Sequence, residues 1–264
     1  MNNKTNFLII LAGLPASGKT TFAFKLKEKL ESDFQNNVKI IDPDILRDKA
    51  FPNSFDFKNE SQIREKNVEL VRKCLTKGYI VISDDVNYYS SMRHDLKLIA
   101  DSLNIKFYII YILTPLKLCM KRNKERRKPI PNKVIKNISN KFDNFNKYKW
   151  DTPFETYDIT QNWDEIQFMT ILSNKIALSL QEQKDSIEPL LHKPSISIRE
   201  ELDLITRKSV GELLKNPKYH VSKKAILEYR KSFIKSRTDE ELDVKKILED
   251  FKLYLDKKLK VQSF

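Results

Sequence analysis

The chain has 264 residues, 40% of them hydrophobic, and its 49 Lys plus Arg against 36 Asp plus Glu give a formal charge of +13. This length suggests about two domains, and the apolar content excludes an intrinsically disordered chain. Only two cysteines, Cys74 and Cys119, occur, both in apolar helical patterns; that excludes a disulfide scaffold and points to a reducing compartment.

The first element is an apolar run at 7–12, Phe-Leu-Ile-Ile-Leu-Ala, which reads as a buried strand. Gly13-Leu14-Pro15-Ala16-Ser17-Gly18-Lys19-Thr20 follows as G-x-x-x-x-G-K-T, and Thr21 opens a helical pattern. Strand, glycine-rich loop and helix in this order are the setting of a P-loop. Backbone N–H groups turn inward around phosphate oxygens, and the helix N-terminus adds partial positive charge. Lys19 is placed to reach the outer phosphates and the Thr20 hydroxyl to ligate magnesium. A nucleoside triphosphate is the ligand expected.

Downstream, strand and helix signals alternate. A short strand at 38–41 ends at Asp42. A helix is predicted over 60–77, with Gly78 as its stop, and a strand over 79–83 ends at Asp84 and Asp85. Residues 91–103 read as helix and 106–113 as a buried strand; Pro115 starts a basic helix. A last strand falls near 154–159 and a last helix near 163–183. The pattern predicts a parallel sheet with helices on both faces. The longest apolar runs, 7–14 and 107–113, are too short to cross a bilayer. Gly13 and Pro15 interrupt the first, so no signal peptide is read and a soluble cytoplasmic protein is expected.

The charge is uneven. Residues 117–149 hold twelve basic and two acidic side chains, a local +10. Such a field attracts a polyanion. We therefore expect an α/β P-loop kinase domain at 1–183 with a basic lid around 115–149. A linker follows at 184–197, where Pro189 and Pro194 stand without periodicity. The remainder, 198–264, is predicted as a small all-α domain of three helices, the third opened by a capping box at Thr238-Asp239-Glu240-Glu241. Apolar faces of those helices leave homodimerisation, or pairing with the chain's own kinase domain, open.

In open parallel sheets ligands sit beyond the carboxyl ends of the strands, and three polar clusters fall there. Asp44 and Arg47, as D-x-x-R, share a helix face. Asp44 is the candidate base for an acceptor hydroxyl, and Arg47 the clamp on a phosphate or on the attacking group. Asp84 or Asp85 is the expected partner of Thr20 in holding magnesium, the other capping a turn. Arg122 and Arg126, four residues apart, are the candidate arginines for a transferring phosphoryl group. Asn87, Tyr88 and Tyr89 are read as packing residues first and as an acceptor or base platform second; Phe142, Phe145, Tyr148, Trp150 and Phe154 are read as packing.

G-L-P-x-x-G-K-T, D-x-x-R, D-D-x-N-Y-Y-x-S-M-R, R-x-x-x-R and K-Y-K-W-D together resemble the archaeal O-phosphoseryl-tRNA(Sec) kinase family, over about residues 6–160. The resemblance implies ATP and magnesium as cofactors and the serine of Ser-tRNA(Sec) as acceptor. It places the P-loop at Gly13 through Thr20, the D-x-x-R pair at Asp44 and Arg47, and the lid arginines at Arg122 and Arg126. It also implies that the helical tail grips the tRNA, chiefly at its D-arm. Two other readings fit parts of the pattern: a tRNA-binding regulatory ATPase related to an Elongator-associated P-loop protein, and a polynucleotide or small-molecule kinase.

Overall fold

Residues 5–50, 60–126, 129–162, 164–185, 198–216, 219, 223–236 and 244–260 are described in the computed structural model. The chain divides into two compact units, 1–188 and 189–264. The first alternates strand and helix: β1 (Leu8–Ala12), α1 (Lys19–Phe34), β2 (Val38–Ile41), α2 (Pro43–Ala50), α3 (Glu60–Thr76), β3 (Ile80–Asp84), α4 (Ser90–Ser102), β4 (Phe107–Leu113), α5 (Leu116–Lys124), α6 (Asn132–Lys141), β5 (Glu155–Asp158) and α7 (Glu165–Asp185). A single 3-10 turn, Lys149–Asp151, precedes β5. The five strands form one sheet in the order β2-β3-β1-β4-β5, every pair parallel.

Strand β1 is central, and all five of its residues are buried. Side chains alternate across a strand, so Phe7, Ile9 and Leu11 meet Phe22, Leu26 and Leu30 of α1 and Phe168, Leu172 and Ile176 of α7. Leu8 and Ile10 face the other way, onto Val71 and Leu75 of α3 and Leu96 and Ile99 of α4. Coverage on both faces is why this strand reads as an unbroken apolar run rather than an alternating one. The order places the ends of β1, β2, β3 and β4 along one edge, with the P-loop leaving β1 between the ends of β3 and β4.

The second unit holds α8 (Ile198–Leu213), α9 (Lys223–Lys235) and α10 (Val244–Lys260). They bury Leu202, Val210, Ile226, Phe233, Ile247, Phe251 and Leu255 among themselves. Arg230, buried in this bundle, donates to the Thr206 hydroxyl at 3.1 Å and the Asp203 carbonyl at 2.9 Å and pairs with the Asp203 carboxylate.

The basic stretch forms two helices: α5 stops at Lys124, ahead of Pro129 and Pro131, and α6 starts after Pro131. Buried Asn123 causes the stop, because its amide closes on Ile130 in both directions, donating to the carbonyl at 2.7 Å and accepting the N–H at 3.1 Å. Helix α7 runs to Asp185, past the expected linker start at 184. The rest of that linker, 186–197, the capping box at 238–241, and Trp163, Arg127, Lys128, Pro217 and His220 lie outside the described residues.

Candidate active site

The P-loop joins β1 to α1. Gly13 is there because a Cβ would lie 2.7 Å from the Ile112 carbonyl of β4 and 3.0 Å from the Ser17 hydroxyl. Ala16 and Gly18 take left-handed backbone, which turns the loop tightly before α1. No side chain caps that helix, whose N-cap is Gly18; its first N–H groups have no intrahelical acceptor and are free for an anion. The Ser17 hydroxyl is buried with no hydrogen-bond partner. Pro15 is buried beside it, and Leu14 is half-buried. Lys19 folds back over the loop and donates to the carbonyls of Gly13 (3.1 Å) and Leu14 (2.9 Å). Burial pushes its ammonium below the ordinary lysine range, against the pull of Asp84 and Asp85.

The exposed Thr20, in the first turn of α1, lies near enough to Asp84 to draw its carboxyl down. Asp84 is 4% exposed, and its Oδ2 has no partner. Burial raises its carboxyl, and the Thr20 hydroxyl and Lys19 oppose that. The Asp85 carboxylate accepts the Val86 N–H at 2.6 Å, as a turn cap does; burial raises it too. Thr21 is exposed in the first turn of α1.

Opposite, α2 begins one residue after Asp42. The side chain of Asp44 is 68% exposed and pairs with Arg47. Its charge raises the carboxyls of Asp42, Asp84 and Asp85, so four carboxylates share one side of the sheet edge. Beside its pair with Asp44, the Arg47 guanidinium forks onto Glu60 at 2.7 and 2.9 Å. That bond, with Asp44, holds it above the usual arginine range. Glu60 opens α3, and nothing in its local sequence marks it as this partner.

Asp42 belongs to the same polar cluster, with no chemical role assigned to it from the sequence. Its Oδ1 accepts the Asp44 N–H at 2.8 Å, and burial, with the charges of Asp84, Asp44 and Asp85, raises its carboxyl to about 6. An aspartate at a strand end, two residues before the candidate base, was the visible signal.

The lid supplies two cations. Arg122 donates to the Ser17 carbonyl at 3.3 Å, alongside the Thr114 hydroxyl at 2.9 Å. Arg126 lies beyond the end of α5, so it does not share a helix face with Arg122 as the spacing predicted. It still reaches the site electrostatically, depressing Lys19 and Asp84.

Asn87 serves no acceptor. Buried at 2% exposure with left-handed backbone, it donates its amide to the Leu11 carbonyl at 2.7 Å. Tyr88 and Tyr89 are half-buried with ring centroids 4.1 Å apart. Phe142 and Phe145 pack on Tyr111, Phe154 on Tyr108, and Tyr148 stacks on Trp150. Cys74 and Cys119 are both buried and free. Among the described residues no group of three or more His, Cys, Asp or Glu side chains forms a metal site, and no helix is long and apolar enough to cross a membrane.

A parallel sheet ordered 2-3-1-4-5, with a P-loop, a threonine–aspartate pair beside it and arginines brought in from a lid, defines a P-loop phosphotransferase of the kinase type. Comparison with known proteins narrows the class. The family described as "Chromatin associated protein KTI12" matches residues 7–256. L-seryl-tRNA(Sec) kinase of Methanococcus maripaludis is 39% identical over 262 residues, spanning 96% of this chain and 100% of that protein. Protein kti12 of Schizosaccharomyces pombe is 29% identical over 56% of each chain. The crystal structure of Chaetomium thermophilum Kti12 in complex with ADP-AlF3 superposes with a TM-score of 0.54 at 25% identity, covering 64% of this chain and 97% of that one. The chain belongs to the KTI12 family, and within it to the L-seryl-tRNA(Sec) kinases.

Proposed function

We propose that the protein transfers the γ-phosphate of ATP to the serine hydroxyl of Ser-tRNA(Sec), giving O-phosphoseryl-tRNA(Sec). The observation that carries this is identity to an L-seryl-tRNA(Sec) kinase along its whole length, combined with a carboxylate, Asp44, in the first turn of α2 and close enough to Asp84 and Asp85 to raise their carboxyls. Kti12 proteins match as a related family, over a shorter span.

The residues fit a magnesium nucleotide. Ser17 and the uncapped α1 offer donors to phosphate, and Lys19 exchanges its two loop carbonyls for phosphate oxygens. Thr20 and the unpartnered Oδ2 of Asp84 would hold the ion, which needs only one or two protein oxygens when phosphates supply others. Once bound, magnesium neutralises charge on the phosphates. Asp85, occupied with Val86, shapes the turn.

A seryl hydroxyl ionises far above neutrality, so its proton must go to a base as the phosphoryl arrives, and Asp44 takes it. Arg47, fixed on Glu60, orients that carboxylate. Arg122 and Arg126 close over the phosphoryl oxygens, a contribution worth roughly 10³–10⁵ in rate where such arginines have been removed. One serine is too small a handle to choose a tRNA. Selection rests on the RNA, through the basic stretch 117–149 and the helical unit 198–264, which we assign to tRNA binding.

The test is transfer of labelled γ-phosphate to Ser-tRNA(Sec) and to Ser-tRNA(Ser). Label bound to the first only is expected. ATP hydrolysis stimulated by tRNA with no label on the RNA would instead match a regulatory ATPase. Binding should weaken steeply with salt as RNA phosphates release their counterions.

A further inference from the structure

Arg93 is a buried charge that the phosphoryl-transfer scheme leaves unused. It lies on α4 at 0% exposure, as does its partner Asp151 in the 3-10 turn. The guanidinium forks onto Asp151 at 2.6 and 2.7 Å. Its remaining nitrogen, Nη1, donates to the Asn87 carbonyl at 2.8 Å, and the Phe145 ring lies 4.5 Å away. A buried ion pair gives little net stability, because desolvation offsets the attraction. What it does give is a fixed geometry.

The geometry leads to the nucleotide site. The Asn87 amide grips the Leu11 carbonyl near the end of β1, just before the P-loop, and the Val86 carbonyl accepts the Gly13 N–H at 3.1 Å. The loop after Asp84 and Asp85 is thus stitched at Val86 and Asn87 to the P-loop and the end of β1, and Arg93 holds Asn87. The same loop is tied to the trailing part of the basic stretch 115–149: Asp143 accepts the Ser90 N–H at 2.9 Å and hydroxyl at 3.1 Å, and its own N–H donates to the Tyr88 carbonyl at 2.8 Å.

We infer that Arg93, Asp151 and Asn87 form a strut that sets the separation of the P-loop from Asp84, and so the gap that a metal-bridged nucleotide must span. They are positioning residues; none touches the reacting atoms. The strut rests on the nucleotide reading above. Its anchor at Asp143 and Asp151 makes the trailing end of the lid part of the same fixed frame.

Two variants test it. Arg93→Met with Asp151→Leu removes both buried charges together. Asn87→Gly keeps the left-handed backbone and removes the amide's grip on Leu11 and its longer contact with the Asp85 carbonyl. The readout is ADP binding by calorimetry across a magnesium titration, with a thermal melt of each protein. Wild type should bind ADP more tightly as magnesium rises. In both variants that gain should fall about 10–100-fold, the range for groups that orient metal ligands, while metal-free ADP affinity stays near wild type. Arg93→Lys, which keeps the charge but not the fork, should recover part of the gain. An unaltered magnesium dependence in Asn87→Gly overturns the strut, whatever happens to the double variant's stability. Wild type that binds no ADP with magnesium overturns the nucleotide reading instead.

Discussion

Replacing Gly13 by Ala should disable the P-loop by a steric route that the structure quantifies. The new Cβ would stand 2.7 Å from the Ile112 carbonyl and 3.0 Å from the Ser17 hydroxyl. Ser17 can rotate away, but Ile112 is backbone in β4, paired to β5 through the Tyr157 register. The loop must therefore move by several tenths of an ångström. Overpacking of this kind costs about 1–3 kcal/mol, which in a unit of this size lowers the melting temperature by roughly 2–4 °C per kcal/mol. The larger effect falls on binding, because the moved loop includes the N–H groups aimed at phosphate. ATP affinity should fall by about tenfold or more, at 1.4 kcal/mol per tenfold. Calorimetric titration with ATP and a thermal melt measure both. Gly78→Ala is the control: its φ is +81° with open space around it, so it should lose stability without losing affinity. Wild-type ATP affinity in Gly13→Ala would refute the reasoning, since the loop would then have absorbed the methyl without moving its donors.

Asp42→Asn should change stability in a pH-dependent way. The native carboxyl titrates near 6, above its ordinary value near 3.8. Between those values the folded chain holds a proton that the unfolded chain has released, so this group's contribution to stability falls as pH rises through that window. The variant escapes the penalty and keeps an acceptor for the Asp44 N–H. Its melting temperature should exceed wild type at about pH 7.5, with the gain shrinking toward about pH 4; a gain that grows on acidification would contradict this. Gly211→Ala lies in α8 with nothing within 4 Å of the added methyl, and should stabilise the helix by about 0.5–1 kcal/mol. Destabilisation in a thermal melt would show that this face is covered.

The sheet was legible because β1, β3 and β4 are covered on both sides, and that coverage writes unbroken apolar runs into the sequence. The P-loop was legible because its glycines and lysine answer to backbone geometry and charge within eight residues. The relation of Asp44 to Asp84 could be read only through strand order, which carries both to one edge. Contacts between distant residues stayed hidden. Glu60 as the partner of Arg47, Asp151 as the partner of Arg93, and Asn87 reaching the Leu11 carbonyl have no local signature. The helix-face argument for Arg122 and Arg126 failed for a similar reason: Asn123 ends α5 by pairing with Ile130, seven residues on.

The central claim is that the carboxylate of Asp44 takes the acceptor proton while the P-loop holds the donor. Single-turnover transfer from ATP to Ser-tRNA(Sec) by Asp44→Asn, alongside its ATP affinity, tests this most directly. Loss of general-base catalysis should slow transfer by about 10²–10⁴, with ATP bound as well as before and folding little changed, since the exposed pair with Arg47 is worth only about 0–1 kcal/mol. Transfer at the wild-type rate would contradict the assignment.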